Sequence, residues 1–146
     1  MSLKLTLKPY ERFIVNGCAM RNSGRRHTIV IEEKADVVLG KDMLDSDSAV
    51  TAVSKVYFLV QTALTRAELR EKLVPSIQKL LGELAAVFGP PSVGHIFAAA
   101  NYVSMGDYYK ALRELKPVMQ HEKTLLNDIA PVTSDESEQE PERVRA

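Results

Sequence analysis

The stretch that decides the fold is Leu3-Lys-Leu-Thr-Leu-Lys-Pro-Tyr-Glu-Arg-Phe-Ile-Val-Asn-Gly17, followed by Met20-Arg-Asn-Ser-Gly-Arg-Arg-His-Thr-Ile-Val-Ile-Glu32. An extended strand sends successive side chains to opposite faces. Leu3, Leu5 and Leu7 therefore share one face, and Lys4, Thr6 and Lys8 share the other. Leu3 to Lys8 reads as a first strand, Pro9-Tyr10 as the start of a turn, and Arg12 to Asn16 as a second strand. Asn16-Gly17 signals a hairpin, because both residues tolerate positive φ. Cys18 to Arg21 would pair back. Asn22-Ser-Gly24 is a further turn, His27 to Glu32 is a β-branched strand, and Val37-Val-Leu39 is a last short one.

After Gly40 the period changes. Ser46-Asp-Ser48 offers N-cap oxygens, and Val50, Val53, Val56, Tyr57, Val60 and Leu64 follow at helical spacing. Thr65-Arg-Ala-Glu68 has the form of a capping box and predicts the start of a second helix. Its apolar face would run from Leu69 to Phe88, with a kink or restart at Pro75. Gly89-Pro-Pro91 ends it. A third helix runs through His95 to Tyr102, and Gly106-Asp107 breaks it. Asp107 caps a fourth, from Tyr108 to about Leu126, interrupted at Pro117. Residues from Pro131 onward are acidic and poor in apolar groups, and are expected to be disordered. Strands followed by helices predict an α+β chain. The expected parts are a basic β module at 1–40, a module of about four helices at 41–130, and an acidic tail at 131–146.

At 146 residues the chain has the size of one ordinary domain. Its 19 Lys and Arg balance its 19 Asp and Glu, so the net charge says nothing about partners, but the distribution does. Up to Ile31 there are six cations (Lys4, Lys8, Arg12, Arg21, Arg25, Arg26) against Glu11. From Val132 onward there are five acids (Asp135, Glu136, Glu138, Glu140, Glu142) against Arg143 and Arg145. This asymmetry points to a head that faces a polyanion and a solvated acidic tail.

The lone Cys18 allows no internal disulfide and supplies no zinc spacing. His27, His95 and His121 are scattered, and Asp42, Asp45 and Asp47 lack the glycine and terminal glutamate of a calcium loop. No nucleophile elbow or phosphate loop is present. The chain therefore reads as a non-enzyme without cofactor or metal. It has no leader-like apolar segment at its start, and its longest low-charge stretch carries Pro90, Pro91, Gly94 and His95, a poor membrane span. A cytoplasmic protein is expected.

Three elements together resemble the flagellar biosynthesis regulator family FlbT: the opening block to Gly17, the Arg21-Asn22 and Arg25-Arg26 pairs, and Val56-Tyr-Phe-Leu-Val-Gln61. The resemblance covers roughly residues 2 to 125. It implies a post-transcriptional regulator that acts on the 5′ untranslated region of flagellin mRNA and limits its translation and lifetime, although some members act as activators. It supplies no list of RNA-contacting residues.

Chemistry nominates them instead. Lys4, Lys8, Arg12, Arg21, Arg25 and Arg26 are candidates for phosphate contact, and Tyr10 and His27 for stacking or base edges. The competing reading is a solvated sheet face with no ligand. Ala98 to Leu112 is similar to the middle of one tetratricopeptide repeat, with Tyr102 and Ala111 at the packing positions. A single repeat is more simply an antiparallel helix pair. The expected partners are thus the flagellin mRNA leader and, in a rival reading, flagellin or another flagellar regulator held by the helices. A homo-oligomer could form through pairing of the Leu3–Lys8 and Thr28–Glu32 edges between chains.

Overall fold

The computed structural model describes residues 2–129. The acidic tail lies outside the described residues. Five strands come first: β1 (Leu3–Leu7), β2 (Arg12–Val15), β3 (Cys18–Arg21), β4 (His27–Ile31) and β5 (Val37–Leu39). Four helices follow: α1 (Ala52–Thr65), α2 (Arg70–Val87), α3 (Ser92–Ser104) and α4 (Tyr108–Ile129). The class is α+β, as the change of period predicts.

The strands form two small antiparallel sheets, β1–β4 and β3–β2–β5. β1 and β4 pair with each other along their whole length, Leu3 opposite Ile31 through Leu7 opposite His27. The two strands expected to join separate chains pair with each other within one, and each keeps an outer edge in this two-stranded sheet. The β2–β3 connection is the predicted hairpin: Asn16 and Gly17 take φ values of 49° and 80°. A side chain at Gly17 would approach the Leu64 carbonyl to 3.0 Å, so the turn abuts the end of α1.

The main core is helical. Val56, Tyr57, Ile77, Leu81, Ile96, Leu112 and Leu115 are buried there, and Ile14 and Val38 reach it from the three-stranded sheet. Leu5, Leu7 and Phe13 are buried outside that cluster, so the strands keep a small apolar layer of their own.

Several local expectations are corrected. The N-cap of α1 is Thr51, which forms a capping box with Ser54; Ser48 instead closes a turn on Asp45. A carboxylate from α4 assists the cap, with Glu122 Oε2 accepting from the Val53 amide at 3.1 Å. Val50 is exposed rather than part of the core face. Thr65 is the last residue of α1, and its hydroxyl donates back to the Gln61 and Thr62 carbonyls. Glu68 pairs with Arg66, and α2 starts from a short 3-10 turn without a side-chain cap. Neither Pro75 nor Pro117 restarts its helix. The surrounding packing of Ile77, Leu81, Leu115 and Val118 holds both helices through the lost backbone bond. Asp107 caps α4 as expected, its Oδ1 accepting from the Lys110 amide at 3.1 Å.

Candidate nucleic-acid interface

Two loops meet at one end of the β module. The first, Lys8 to Glu11, joins β1 to β2 and is closed by the Glu11 amide on the Lys8 carbonyl at 3.1 Å. Glu11 Oε1 also accepts from the Lys8 amide at 2.9 Å. The second runs from Asn22 to Arg26. The Tyr10 amide donates to the Ser23 carbonyl, and the Asn22 amide donates to the Glu11 carbonyl, each at 2.8 Å. The loops are thereby laced together.

Asn22 is the hub of this end. Its Nδ2 donates to the Lys8 and Arg25 carbonyls at 2.7 Å, with the Leu7 carbonyl at 3.3 Å. Three carbonyls fix the orientation of the amide, so Oδ1 must accept, and His27 Nδ1 donates to it at 3.0 Å. His27 Nε2 makes no hydrogen bond among the described residues. The sequence reading gives Asn22 a turn and a place in the family resemblance, but no role in fixing the loops. The signal was its place between the Arg21 strand end and Gly24, where a short amide can satisfy loop carbonyls.

Tyr10 is held at a φ of 62°, uncommon for an aromatic residue, and its ring is largely exposed. Its hydroxyl lies over Gly24, where an added Cβ would meet it at 2.7 Å. Only glycine leaves room for the ring to lie across the second loop.

All eight nominated residues are exposed. The structure gathers Lys8, Tyr10, Arg12, Arg21, Arg25 and His27 around Asn22, with Arg26 next in the same loop. Arg12 and Arg21 stand directly opposite each other in the β2–β3 ladder, and so on one face. Lys4 is separated from them. It pairs with Val30, whereas His27 pairs with Leu7, so Lys4 and His27 fall on opposite faces of the two-stranded sheet.

Among the described residues, none of the six cations of the β module makes an ion pair; in the helical half Arg66, Lys110 and Lys116 each have a carboxylate partner and the other cations have none. The nearest influence is long-range. The Asp45 carboxyl is held below its ordinary range, mainly by its hydrogen bonds from Ser48 and also by the Arg12 charge. Like charges directly opposite in a ladder disfavour the fold slightly.

No group of acidic, histidine or cysteine side chains suited to a metal occurs among the described residues, and no described helix is long and apolar enough to cross a membrane. Where the β module meets the helices, a cleft of about 450 Å³ lies between the Asn16-Gly17 turn, Asp36, Arg70 and Asp107. Arg70 has a structural task there. Its guanidinium donates to the Ala63 and Leu64 carbonyls at the end of α1 and lies over the Tyr108 ring, 4.9 Å from its centre. Cys18 is exposed on β3.

The chain was compared with known proteins. It is 34% identical over 130 residues to the "Probable flagellum biosynthesis repressor protein FlbT" of Rhodopseudomonas palustris, covering 87% of this chain and 99% of that one. It is 30% identical over 131 residues to the protein of that name from Caulobacter sp. strain K31, covering 89% and 100%. It is 31% identical over 131 residues to the "Flagellum biosynthesis repressor protein FlbT" of Caulobacter vibrioides, covering 89% and 93%. No solved structure matches it. The family model described as "Flagellar protein FlbT" matches residues 3–126, which span both sheets and nearly all of the four helices. With that match running from the first strand into the last turns of α4, the chain belongs to the FlbT family of flagellar proteins.

Proposed function

We propose that this protein represses flagellin synthesis by binding the 5′ untranslated region of flagellin mRNA with the basic end of its β module. The observation that carries the reading is the exposed cluster of Lys8, Arg12, Arg21 and Arg25, without ion pairs among the described residues and fixed around Asn22. The names of its relatives supply the biological direction.

Mechanistically, the cations would neutralise phosphates and release their counterions. Tyr10 offers a ring for stacking an unpaired base, and His27 Nε2 a polar contact to a base edge. No bond-making chemistry is needed. A leader covered near the ribosome site is not initiated, and an untranslated message is open to ribonucleases. The test is a binding titration of the full chain against the flagellin leader and a scrambled RNA of equal length. Selective binding that weakens in the Arg25→Ala/Arg26→Ala variant supports the reading. Equal, weak binding of both RNAs overturns it.

A second reading has one observation of its own: Phe97 and Met105, on α3 and at its end, are both largely exposed. In that reading the helices hold flagellin or another flagellar protein, and effects on mRNA are indirect. Loss of flagellin co-purification on Phe97→Ser, with RNA binding absent in the parent chain, would favour it.

A further inference from the structure

β4 belongs to a sheet of only two strands, with β1 on one side. Among the described residues no strand lies on its other side, so that edge presents backbone N–H and C=O groups without a ladder partner. Its residues favour pairing. Thr28, Ile29, Val30 and Ile31 are all β-branched, Val30 is more than half exposed, and no Lys, Arg, Asp or Glu interrupts the strand. The other edge of the same sheet differs. β1 carries Lys4 within it and Lys8 directly after it, and lysines of this kind discourage pairing with a further chain.

The charges that flank β4 suit one partner. Arg26 stands immediately before the strand and Glu32 immediately after it. Both are exposed, and neither forms an ion pair among the described residues. Two copies of β4 laid antiparallel about a twofold axis at Ile29 bring Thr28 opposite the partner's Val30 and His27 opposite the partner's Ile31. The same register brings Arg26 opposite the partner's Glu32. The axis repeats each pair, so the ionic contact is made twice. A parallel arrangement in register sets Arg26 beside Arg26 and Glu32 beside Glu32, and like charges side by side oppose it.

We propose that a second copy of this chain pairs along β4 in this antiparallel register, joining two sheets of two strands into one of four, β1–β4–β4–β1. Leu5 and Ile29 stand opposite each other on one face of the present sheet, Leu5 buried and Ile29 half-buried. The joint extends that apolar face by an Ile29–Ile29 contact at its centre and gives the exposed Val30 a cross-strand neighbour. It also relieves a sheet of two strands, which is marginal alone. The contact needs no RNA and stands independently of the RNA-binding reading above.

Sedimentation of the full chain over a concentration series tests this. The expected result is a doubling of mass, with amide exchange in β4 slowing as the dimer forms and exchange in α2 unchanged. A chain that stays monomeric to high micromolar concentration overturns the proposal. Arg26→Glu and Glu32→Arg each set like charges opposite one another at both ionic contacts. Each alone should weaken dimerisation by about tenfold, with the fold intact by circular dichroism because both positions are exposed. Mixed in equal amounts, the two variants restore opposite charges at both contacts, and the mixture should dimerise as the parent does. Single variants that dimerise like the parent place the contact on another surface and overturn the assignment. A mixture no better than the single variants overturns the register.

Discussion

The two halves of this molecule treat polar groups in opposite ways. In the helical half they are tied to structure. Gln61 grips both backbone groups of Leu44, at 2.8 and 2.7 Å, Glu122 caps α1, Lys116 reaches Asp42 at 2.8 Å, and Gln78 spans to Ala100 and Ser104 on α3. In the β half the backbone is satisfied through Asn22, while the cations around it have no carboxylate partner among the described residues. The helical half thus uses several polar groups for stability, and under the proposed function the exposed cations of the β half serve recognition.

The comparison breaks most readily at the helical core. Leu115 is fully buried on α4, and Leu115→Ala should destabilise the chain by about 2–5 kcal/mol, read as a fall in denaturant midpoint at unchanged slope. A mild effect would mean that the helices are not the stabilising half. Next is Gln61→Ala, which strands the Leu44 amide and carbonyl. It should remove about 1–3 kcal/mol and loosen the loop at residues 43–48 in hydrogen exchange.

Tyr57 gives a pH-dependent version of the same test. Its hydroxyl donates to the Asp42 carbonyl, and burial first, then the Asp42 charge, push its ionisation well above the ordinary tyrosine range. The unfolded chain therefore loses this proton at lower pH than the folded one. The stabilisation is complete below about pH 10 and declines above it by about 1.4 kcal/mol per pH unit. Tyr57→Phe should remove that part of the alkaline slope.

The smallest stability effect belongs to the β half. Arg12→Ala/Arg21→Ala removes an opposed like-charge pair, so the melting temperature should hold or rise slightly, within about 1 kcal/mol.

Much of this division was legible in the sequence. Alternation of Leu3, Leu5 and Leu7 with Lys4, Thr6 and Lys8 marked β1, and Asn16-Gly17 marked the hairpin, because backbone sterics alone decide such features. The helical caps were less legible. Ser46, Ser48, Thr51 and Thr65 all carry suitable oxygens, and choosing among them depends on Glu122, sixty-nine residues from Val53. A helix restart at either proline failed for the same reason, since tertiary packing carries each helix past it. At the candidate interface, composition nominated the cations, but not that Asn22 ties the Lys8 and Arg25 backbones together or that strand register parts Lys4 from His27.

The most direct test of the separation is the salt dependence of flagellin-leader binding, measured on the full chain and on Arg12→Ala/Arg21→Ala. Two lost phosphate contacts should weaken binding and lower the slope of log affinity against log salt by about 2, with the fold intact by circular dichroism. An unchanged slope in a folded variant would contradict the account, because the unpaired arginines of the β module would then not be what the transcript meets.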